Sequence, residues 1–459
     1  MPVYPDPTWP SLSDGPCKIA VASSGGLCGG RADCPVVLDA RLAGDAATSY
    51  LDLVGTPSGR GYVVFSGTYP SLASHCLFSI DRNGASTVAV SPFFLPPASA
   101  GQTYGAVALA ADSSENPHAI LGAGGQILHY QQGGAGWVSD ALPVPSGLTE
   151  FTVAGVASST TGIFVSVSDH PPDPGYYRSF KVQLFSGSGA GTWQSTPVFD
   201  GAGTQELLAP ALGLDAMGAP VLIYDARLDL GGGGLGYATY LWRNGMTSAL
   251  STPTAALRGA ILQTPGDATT ADNAVRFDDD QGIHLVIPRA GAAPDSMLIP
   301  GTARVPLDGC PVGGFDRGSM PRTCQGHGGE SCTLKGAALL LADGPRRTDD
   351  GTIWFAYAMQ RIDEDVTLRD YSSGGPDANT YCFADLKADR TTTDLYIARL
   401  SPHAAMVDLR LRVPLGGAPQ FNAASGVRLQ TRGDQLFVAY RVGDSTASYR
   451  YLVLDATRL

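Results

Sequence analysis

Residues 106–121, AVALAADSSENPHAIL, contain an apolar run, a turn rich in Asp, Ser and Asn, and a second apolar run. Short apolar runs separated by such turn residues predict a β-hairpin. Copies of this pattern occur at residues 50–65, 152–167, 211–224, 274–287, 337–357 and 427–440. A hairpin that returns along the whole chain indicates a repeat architecture.

Two further strands can be read after most copies, as at residues 126–130 and 137–143. Four antiparallel strands in each of seven repeats predict the blades of a β-propeller. The last copy is followed by one more strand before Leu459, and residues 36–42, VVLDARL, provide a spare strand. We therefore predict an all-β fold, a single seven-bladed β-propeller over residues 1–459, with a closing strand inside the N-terminal segment 1–46.

Two hairpins add a family resemblance. The turn from Asp112 to His118 resembles a hairpin of bacterial secreted propellers, in which an Asp-containing turn leads into Pro-His. Residues 186–193, SGSGAGTW, are similar to the Asp-box of the sialidase-like BNR repeat families, with Ser in place of the Asp. Both resemblances imply the fold and not an activity.

Composition and charge restrict the class of partner. The chain is 44% hydrophobic and 16% charged, which predicts a large packed core. The formal net charge of -12 argues against nucleic acid and anionic membranes, because both require a basic surface. No apolar run reaches the ~20 residues that span a bilayer. We expect a monomer without a membrane span.

Eight cysteines point to an oxidising compartment. They lie in an early and a late group: Cys17, Cys28, Cys34, Cys76, Cys310, Cys324, Cys332 and Cys382. An even, clustered set predicts disulfides that staple loops, and hence a secreted, periplasmic or cell-surface protein whose leader is absent from residues 1–5. The alternative is a metal site at Cys324, His327 and Cys332, with Cys310 or Cys382 as the fourth ligand.

The repeat itself explains several residues that could suggest a functional site. Acids recur in the hairpin turns, at Asp112, Asp215, Asp278, Asp279, Asp280, Asp349, Asp350 and Asp434. Aspartate caps such turns by accepting hydrogen bonds from nearby backbone amides, so these residues are predicted to be structural. Residues 278–280 could alternatively bind calcium. His118 and His284 occupy equivalent strand starts and are predicted to pack or bond their neighbours.

Departures from the repeat are the better place to look for function. Long segments between predicted strands cover residues 67–74, 169–177, 225–234, 251–270, 304–333 and 359–392. If they are loops, the blade assignment places all six on one face of the propeller. Long loops without regular structure are often functional, so this face is the predicted binding face.

Three sets of candidate residues follow from these segments. Tyrosine and arginine could stack on sugar rings or bind carboxylates, which selects Tyr69, Asp225, Arg227, Arg317, Arg322, Arg361, Arg369 and Tyr371 as ligand-binding residues. The densest acid cluster, a candidate calcium site, is Asp363, Glu364, Asp365 and Asp370. The third set is His170, Tyr176, Tyr177 and Arg178, which could supply a base, an acid and a cation that neutralises a carboxylate. This set resembles the groups that polysaccharide lyases use.

The leading hypothesis is an extracytoplasmic propeller that binds a carbohydrate or another surface ligand and does not catalyse a reaction. A polysaccharide lyase or glycosidase acting at the channel mouth is the alternative, and a scaffold for a protein partner is the third reading. No cofactor other than calcium is expected.

Overall fold

A computed structural model gives the architecture. The structure describes residues 17–21, 31–44, 48–67, 74–80, 88–90, 93–94, 104–123, 126–133, 136–144, 151–169, 181–189, 191–200, 207–215, 217–229, 235–249, 258–261, 275–279, 282–289, 292–300, 329–372, 380–400, 407–416, 427–442 and 448–459. Within these ranges the regular structure is β-strand, apart from one short 3-10 helix at Ala456–Arg458. No helix in the described ranges has the length and apolar character that crossing a bilayer requires.

The strands form seven antiparallel sheets, numbered here in chain order. Two N-terminal strands come first, β1 (Cys17–Val21) and β2 (Val36–Gly44). Sheet 1 contains β3 (Thr48–Gly55), β4 (Gly61–Gly67), β5 (Ser74–Ile80), β6 (Val88–Val90) and β7 (Phe93–Phe94). Sheet 2 contains β8 (Tyr104–Ala111), β9 (Pro117–Ala123), β10 (Gln126–Gly133) and β11 (Gly136–Ala141).

Sheets 3 to 5 have four strands each in sequential order. Sheet 3 contains β12 (Phe151–Ser159), β13 (Gly162–Asp169), β14 (Lys181–Gly187) and β15 (Gln194–Asp200). Sheet 4 contains β16 (Leu207–Leu214), β17 (Pro220–Asp229), β18 (Leu235–Arg243) and β19 (Met246–Ala249). Sheet 5 contains β20 (Arg258–Ile261), β21 (Val275–Asp279), β22 (Gly282–Arg289) and β23 (Ala292–Pro300).

The last two sheets have five strands each. Sheet 6 contains β24 (Ser331–Arg347), β25 (Ile353–Ser372), β26 (Thr380–Asp389), β27 (Thr392–Leu400) and β28 (Val407–Gly416). Sheet 7 joins β1 and β2 to β29 (Val427–Arg432), β30 (Gln435–Val442) and β31 (Ser448–Asp455). The predicted all-β fold of four-stranded antiparallel units is confirmed, with extra strands in three sheets.

The sheets are arranged radially. One edge strand of each sheet contacts the edge strand of the next, in a cycle of β3, β8, β12, β16, β20, β24, β29 and back to β3. Neighbouring sheets pack face to face through apolar clusters, for example sheets 3 and 4 around Leu222 and sheets 6 and 7 around Trp354. This radial packing of sheets is that of a β-propeller.

Both ends of the chain enter sheet 7. Strand β2 pairs antiparallel with β31, and the carboxylate of Asp39 accepts two hydrogen bonds from the Arg450 guanidinium, at 2.8 and 2.6 Å. Each of these side chains is only 4% exposed. A buried ion pair therefore joins the N-terminal strand to the C-terminal one.

Close contact between sheets 7 and 1 depends on a glycine. An added Cβ at Gly61 would lie 1.7 Å from the hydroxyl oxygen of Tyr451, a fully buried side chain. We expect Gly61→Ala to lower the free energy of unfolding by about 1–3 kcal/mol because the packed interface must shift. Chemical denaturation measures this change. Adding Tyr451→Phe removes the hydroxyl and should restore part of the lost stability. If the double variant is no more stable than Gly61→Ala alone, this explanation is contradicted.

Two expectations about segments are corrected. Residues 359–392 are mainly strand and not a loop, because β25 runs on to Ser372 and pairs with β26. The fifth repeat, residues 274–287, forms the second and third strands of its sheet, since β20, within the predicted loop 251–270, is the first. Most of residues 304–333 lie outside the described ranges.

The structural reading of the turn acids is confirmed at three positions. Asp112 accepts hydrogen bonds from the backbone amides of Ser114 and Asn116. Asp215 bonds two amides in its own turn, and Asp350 accepts one from Thr352. Among the cysteine side chains that the structure describes none is a free thiol, and the predicted disulfide staples stay a prediction. The pairing of the eight cysteines stays a prediction.

Candidate functional site

A cleft with a volume of about 310 Å³ lies between sheets 3 and 4. Its lining comes from β15, β17, β18 and β19: Val198, Phe199, Asp200, Tyr224, Ala226, Tyr240 and Thr247. The volume is at the lower end of the range of small-molecule sites, which typically have apolar walls and a few polar groups. This cleft is the candidate functional site.

A β-bulge provides the sheet 3 wall. Phe199 is opposite Val182, but Pro197 is opposite Gln183, so Val198 has no partner in the pairing of β14 with β15. Adjacent residues of a regular strand point to opposite faces, and a bulge breaks that alternation. Val198 and Phe199 therefore both line the cleft.

Three aromatic rings form the floor and walls. Tyr224 and Tyr240 are directly opposite on β17 and β18, with ring centroids 5.7 Å apart and ring planes 25° apart. Phe199 reaches Tyr224 from sheet 3 at a centroid distance of 5.6 Å. Tyr224 is buried, while Tyr240 and Phe199 are partly exposed. The cleft thus presents aromatic surface to whatever enters it.

Polar groups occupy the rim. The Tyr224 and Thr247 hydroxyl oxygens lie 3.5 Å apart, and burial raises the pKa of Tyr224. The exposed carboxylate of Asp200 lies 4.0 Å from the Lys181 ammonium nitrogen, too far for a strong hydrogen bond. The Tyr224 phenol therefore stays neutral, and Asp200 retains capacity to accept hydrogen bonds from a ligand.

The predicted catalytic residues cannot be compared with this geometry. His170, Tyr176, Tyr177 and Arg178 lie outside the described residues, as do Tyr69, Arg317 and Arg322. Asp225 and Arg227 were expected in a loop, yet both belong to β17, where they follow Tyr224. Arg369, Asp370 and Tyr371 belong to β25. For these three residues, and for Asp225 and Arg227, the structure describes the backbone but not the side chains.

The acids proposed to bind calcium are separated by the pleat of β25. Asp363 and Asp365 lie on one face, where both form ion pairs with Arg390 at 2.8 and 2.6 Å, while Glu364 is buried on the other face. The Arg390 guanidinium, with the Thr333 hydroxyl, lowers the pKa of Asp365 to about 2. Among the described side chains, no group of three or more His, Cys, Asp and Glu residues could hold a metal ion. Calcium binding that involves Asp370 stays a prediction.

His118 belongs to a buried polar chain in sheet 2, as its repeat position predicted. The His129 Nδ1–H donates to Asp140 at 2.6 Å, which leaves His129 Nε2 to accept from His118 Nδ1 at 2.8 Å. Asp140 also accepts from the Trp193 indole N–H at 3.0 Å. Trp193 lies in the segment that resembles an Asp-box, so that segment connects sheet 3 to sheet 2.

Sequence reasoning did not select the cleft residues. The aromatic end of the fourth hairpin, Tyr224, was visible in the repeat, and Pro197 inside a predicted strand is a sign of a bulge or an edge. Neither signal shows that Phe199 and Tyr240 meet Tyr224, because they come from different strands and, for Phe199, from a different sheet.

No protein-family profile matches this chain. No curated protein matches its sequence either.

Solved structures that this chain resembles do so weakly, with TM-scores of 0.40 or below in the three examples that follow. A lectin of Aleuria aurantia, a six-bladed β-propeller with a fucose recognition mode, is 9% identical, with 74% of this chain and 97% of that chain covered and a TM-score of 0.37. A PL25 ulvan lyase is 10% identical, covers 83% of this chain and 92% of its own, and has a TM-score of 0.40. The WD40 domain of SCAP from fission yeast is 9% identical, covers 100% and 94%, and has a TM-score of 0.40. Similarity at this level assigns no function.

Proposed function

We propose that this protein binds carbohydrate in the cleft between sheets 3 and 4 and does not catalyse a reaction there. The observation that carries the proposal is the convergence of Phe199, Tyr224 and Tyr240 on one cavity with Asp200 and Thr247 at its rim. The face of an aromatic ring is electron-rich and attracts polarised C–H bonds, such as those on one face of a sugar ring. Carboxylate and hydroxyl oxygens can bond the sugar hydroxyls.

The binding site in this proposal differs from the loop-rich face that the sequence suggested, because it lies between two sheets. We propose further that sheets 1 to 7 are the blades of one closed, seven-bladed propeller. The cycle of edge strands and the pairing of β2 with β31 support closure. An extracytoplasmic location is also proposed, supported by the even, clustered set of eight cysteines, of which none is a free thiol among the described side chains.

Calorimetric titration with a panel of neutral mono- and oligosaccharides tests the binding proposal. We expect Tyr240→Ala to weaken binding of the best ligand at least tenfold, about 1.4 kcal/mol, because a central aromatic contact is lost. Asp200→Asn should also weaken binding, since an amide accepts hydrogen bonds less strongly than a carboxylate.

Asp349→Asn is the matched control, because Asp349 is exposed in a hairpin turn of sheet 6, away from the cleft residues. Its affinity should equal that of the unmodified protein. Failure of every neutral sugar to bind, or equal affinity in Tyr240→Ala, would contradict the proposal. Thermal melting of each variant distinguishes lost binding from lost folding.

A further inference from the structure

A second stacked tyrosine pair occupies the equivalent place in sheet 6. Tyr357 and Tyr396 are directly opposite on the second and third strands of that sheet, β25 and β27, with ring centroids 5.3 Å apart. Tyr224 and Tyr240 have the same relation on the second and third strands of sheet 4. Tyr357 and Tyr224 also both end a copy of the repeated hairpin. The repeat has therefore placed the same aromatic pair in two sheets.

The polar groups around the two pairs differ in charge. In sheet 4 the Tyr224 hydroxyl lies beside the neutral Thr247 hydroxyl, and the charged group that lines the cleft is the Asp200 carboxylate. In sheet 6 the Tyr396 hydroxyl accepts a hydrogen bond from Arg361 at 3.1 Å and donates one to Asp394 at 3.3 Å. Arg412, opposite Tyr396 on β28, forms an ion pair with the same Asp394 oxygen at 2.8 Å.

The Asp394 carboxylate forms ion pairs with the guanidinium groups of both Arg361 and Arg412. Asp394 is 2% exposed and lies 4.0 Å from Arg361 Nε, while the Arg361 side chain is 56% exposed. The pKa of Arg412 is raised by its hydrogen bond to Asp394, so both arginines stay charged. The Nε of Arg412 is buried and, within the described residues, has no hydrogen-bond partner. The group keeps one excess positive charge in a chain whose net charge is -12.

We propose that Arg361 and Arg412 form a second ligand site, specific for the oxyanion of an acidic glycan, a uronate carboxylate or a sulfate ester. A guanidinium presents five N–H donors in a planar fork that fits such oxyanions, and the described contacts use only some of them. The buried Asp394 carboxylate holds Arg412 directly, through the ion pair. It holds Arg361 through the Tyr396 hydroxyl, which donates to Asp394 and accepts from Arg361. The choice of a glycan rests on the proposed function, but the affinity for an oxyanion does not.

The test compares Arg361→Gln with Arg390→Gln. Both arginines are on the surface of sheet 6, with 56% and 51% of their side chains exposed, but Arg390 is already paired with two carboxylates. Calorimetry would measure oligogalacturonate, a sulfated oligosaccharide and a neutral oligosaccharide of equal length. We expect at least one acidic ligand to bind, with at least tenfold loss in Arg361→Gln and no loss in Arg390→Gln.

The two acidic ligands distinguish a uronate site from a sulfate site, and binding of either supports the proposal. The proposed arginine site would be overturned if neither acidic ligand bound. It would also be overturned if Arg361→Gln and Arg390→Gln lost affinity equally, because an equal loss indicates only general charge attraction. Tyr240→Ala should keep the acidic ligand while losing the neutral one. Failure of the neutral sugar alone would thus overturn the proposed cleft and leave the arginine site standing.

Discussion

Replacing Asp39 with alanine is expected to lower the free energy of unfolding by about 3–5 kcal/mol. The substitution removes the carboxylate that accepts two hydrogen bonds from the buried Arg450 guanidinium, and breaking a buried ion pair by removing one partner is costly. Urea or guanidinium denaturation followed by circular dichroism measures the change. The same experiment tests whether this ion pair stabilises the junction of β2 with β31.

A matched control comes from the exposed pair of Arg31 and Asp33, whose side chains are 61% and 67% exposed. Asp33→Ala removes the same atoms from an ion pair that water screens, so little change is expected. If Asp39→Ala is as stable as Asp33→Ala, then the buried Asp39–Arg450 ion pair does not stabilise the junction of β2 with β31, and the expected result is contradicted.

Acidification from pH 6.5 to pH 4 is expected to destabilise the protein by up to ~3 kcal/mol through His118 alone. Burial, together with the neighbouring His129, lowers the pKa of His118 to about 4. The unfolded chain takes up this proton near pH 6.5, whereas the folded chain resists it until about pH 4. The stabilisation is therefore fully present above pH 6.5 and is lost as the pH falls through this window. Burial lowers the pKa of His129 too, which adds to the effect in the same direction.

The charged groups facing this pair are Asp112, 3.5 Å from His118 Nε2, and Asp140. His118→Gln removes one titrating group, so denaturation at several pH values should show a shallower loss of stability between pH 6.5 and pH 4. Carboxylates away from this pair are common to both proteins and cancel, so the difference between the two curves reports on His118 together with Asp112, which it contacts. An identical pH slope in His118→Gln would mean that Asp112 keeps the histidine protonated in the folded state.

Local patterns were sufficient for the hairpins. Strand alternation and turn residues predicted residues 106–121 as a hairpin, and the turn geometry that Asp112 requires is set within four residues of it. The same local rules failed at residues 359–372, which were assigned to the long segment 359–392 between predicted strands and expected to be a loop. These residues lie on a strand because Arg390 neutralises the two exposed acids, Asp363 and Asp365, and because β26 pairs with the second half of β25.

Local sequence patterns were enough to predict the class of fold, the repeated hairpins and the structural role of the turn acids, because strand periodicity and turn chemistry act between residues close in the chain. The two proposed binding sites, in contrast, follow from the tertiary structure. The cleft needs a bulge at Val198 to bring Phe199 against Tyr224, and the arginine site needs Arg361 and Arg412 to share Asp394 across three strands. Such groupings depend on which sheets and strands pack together, and packing joins residues that no local pattern connects.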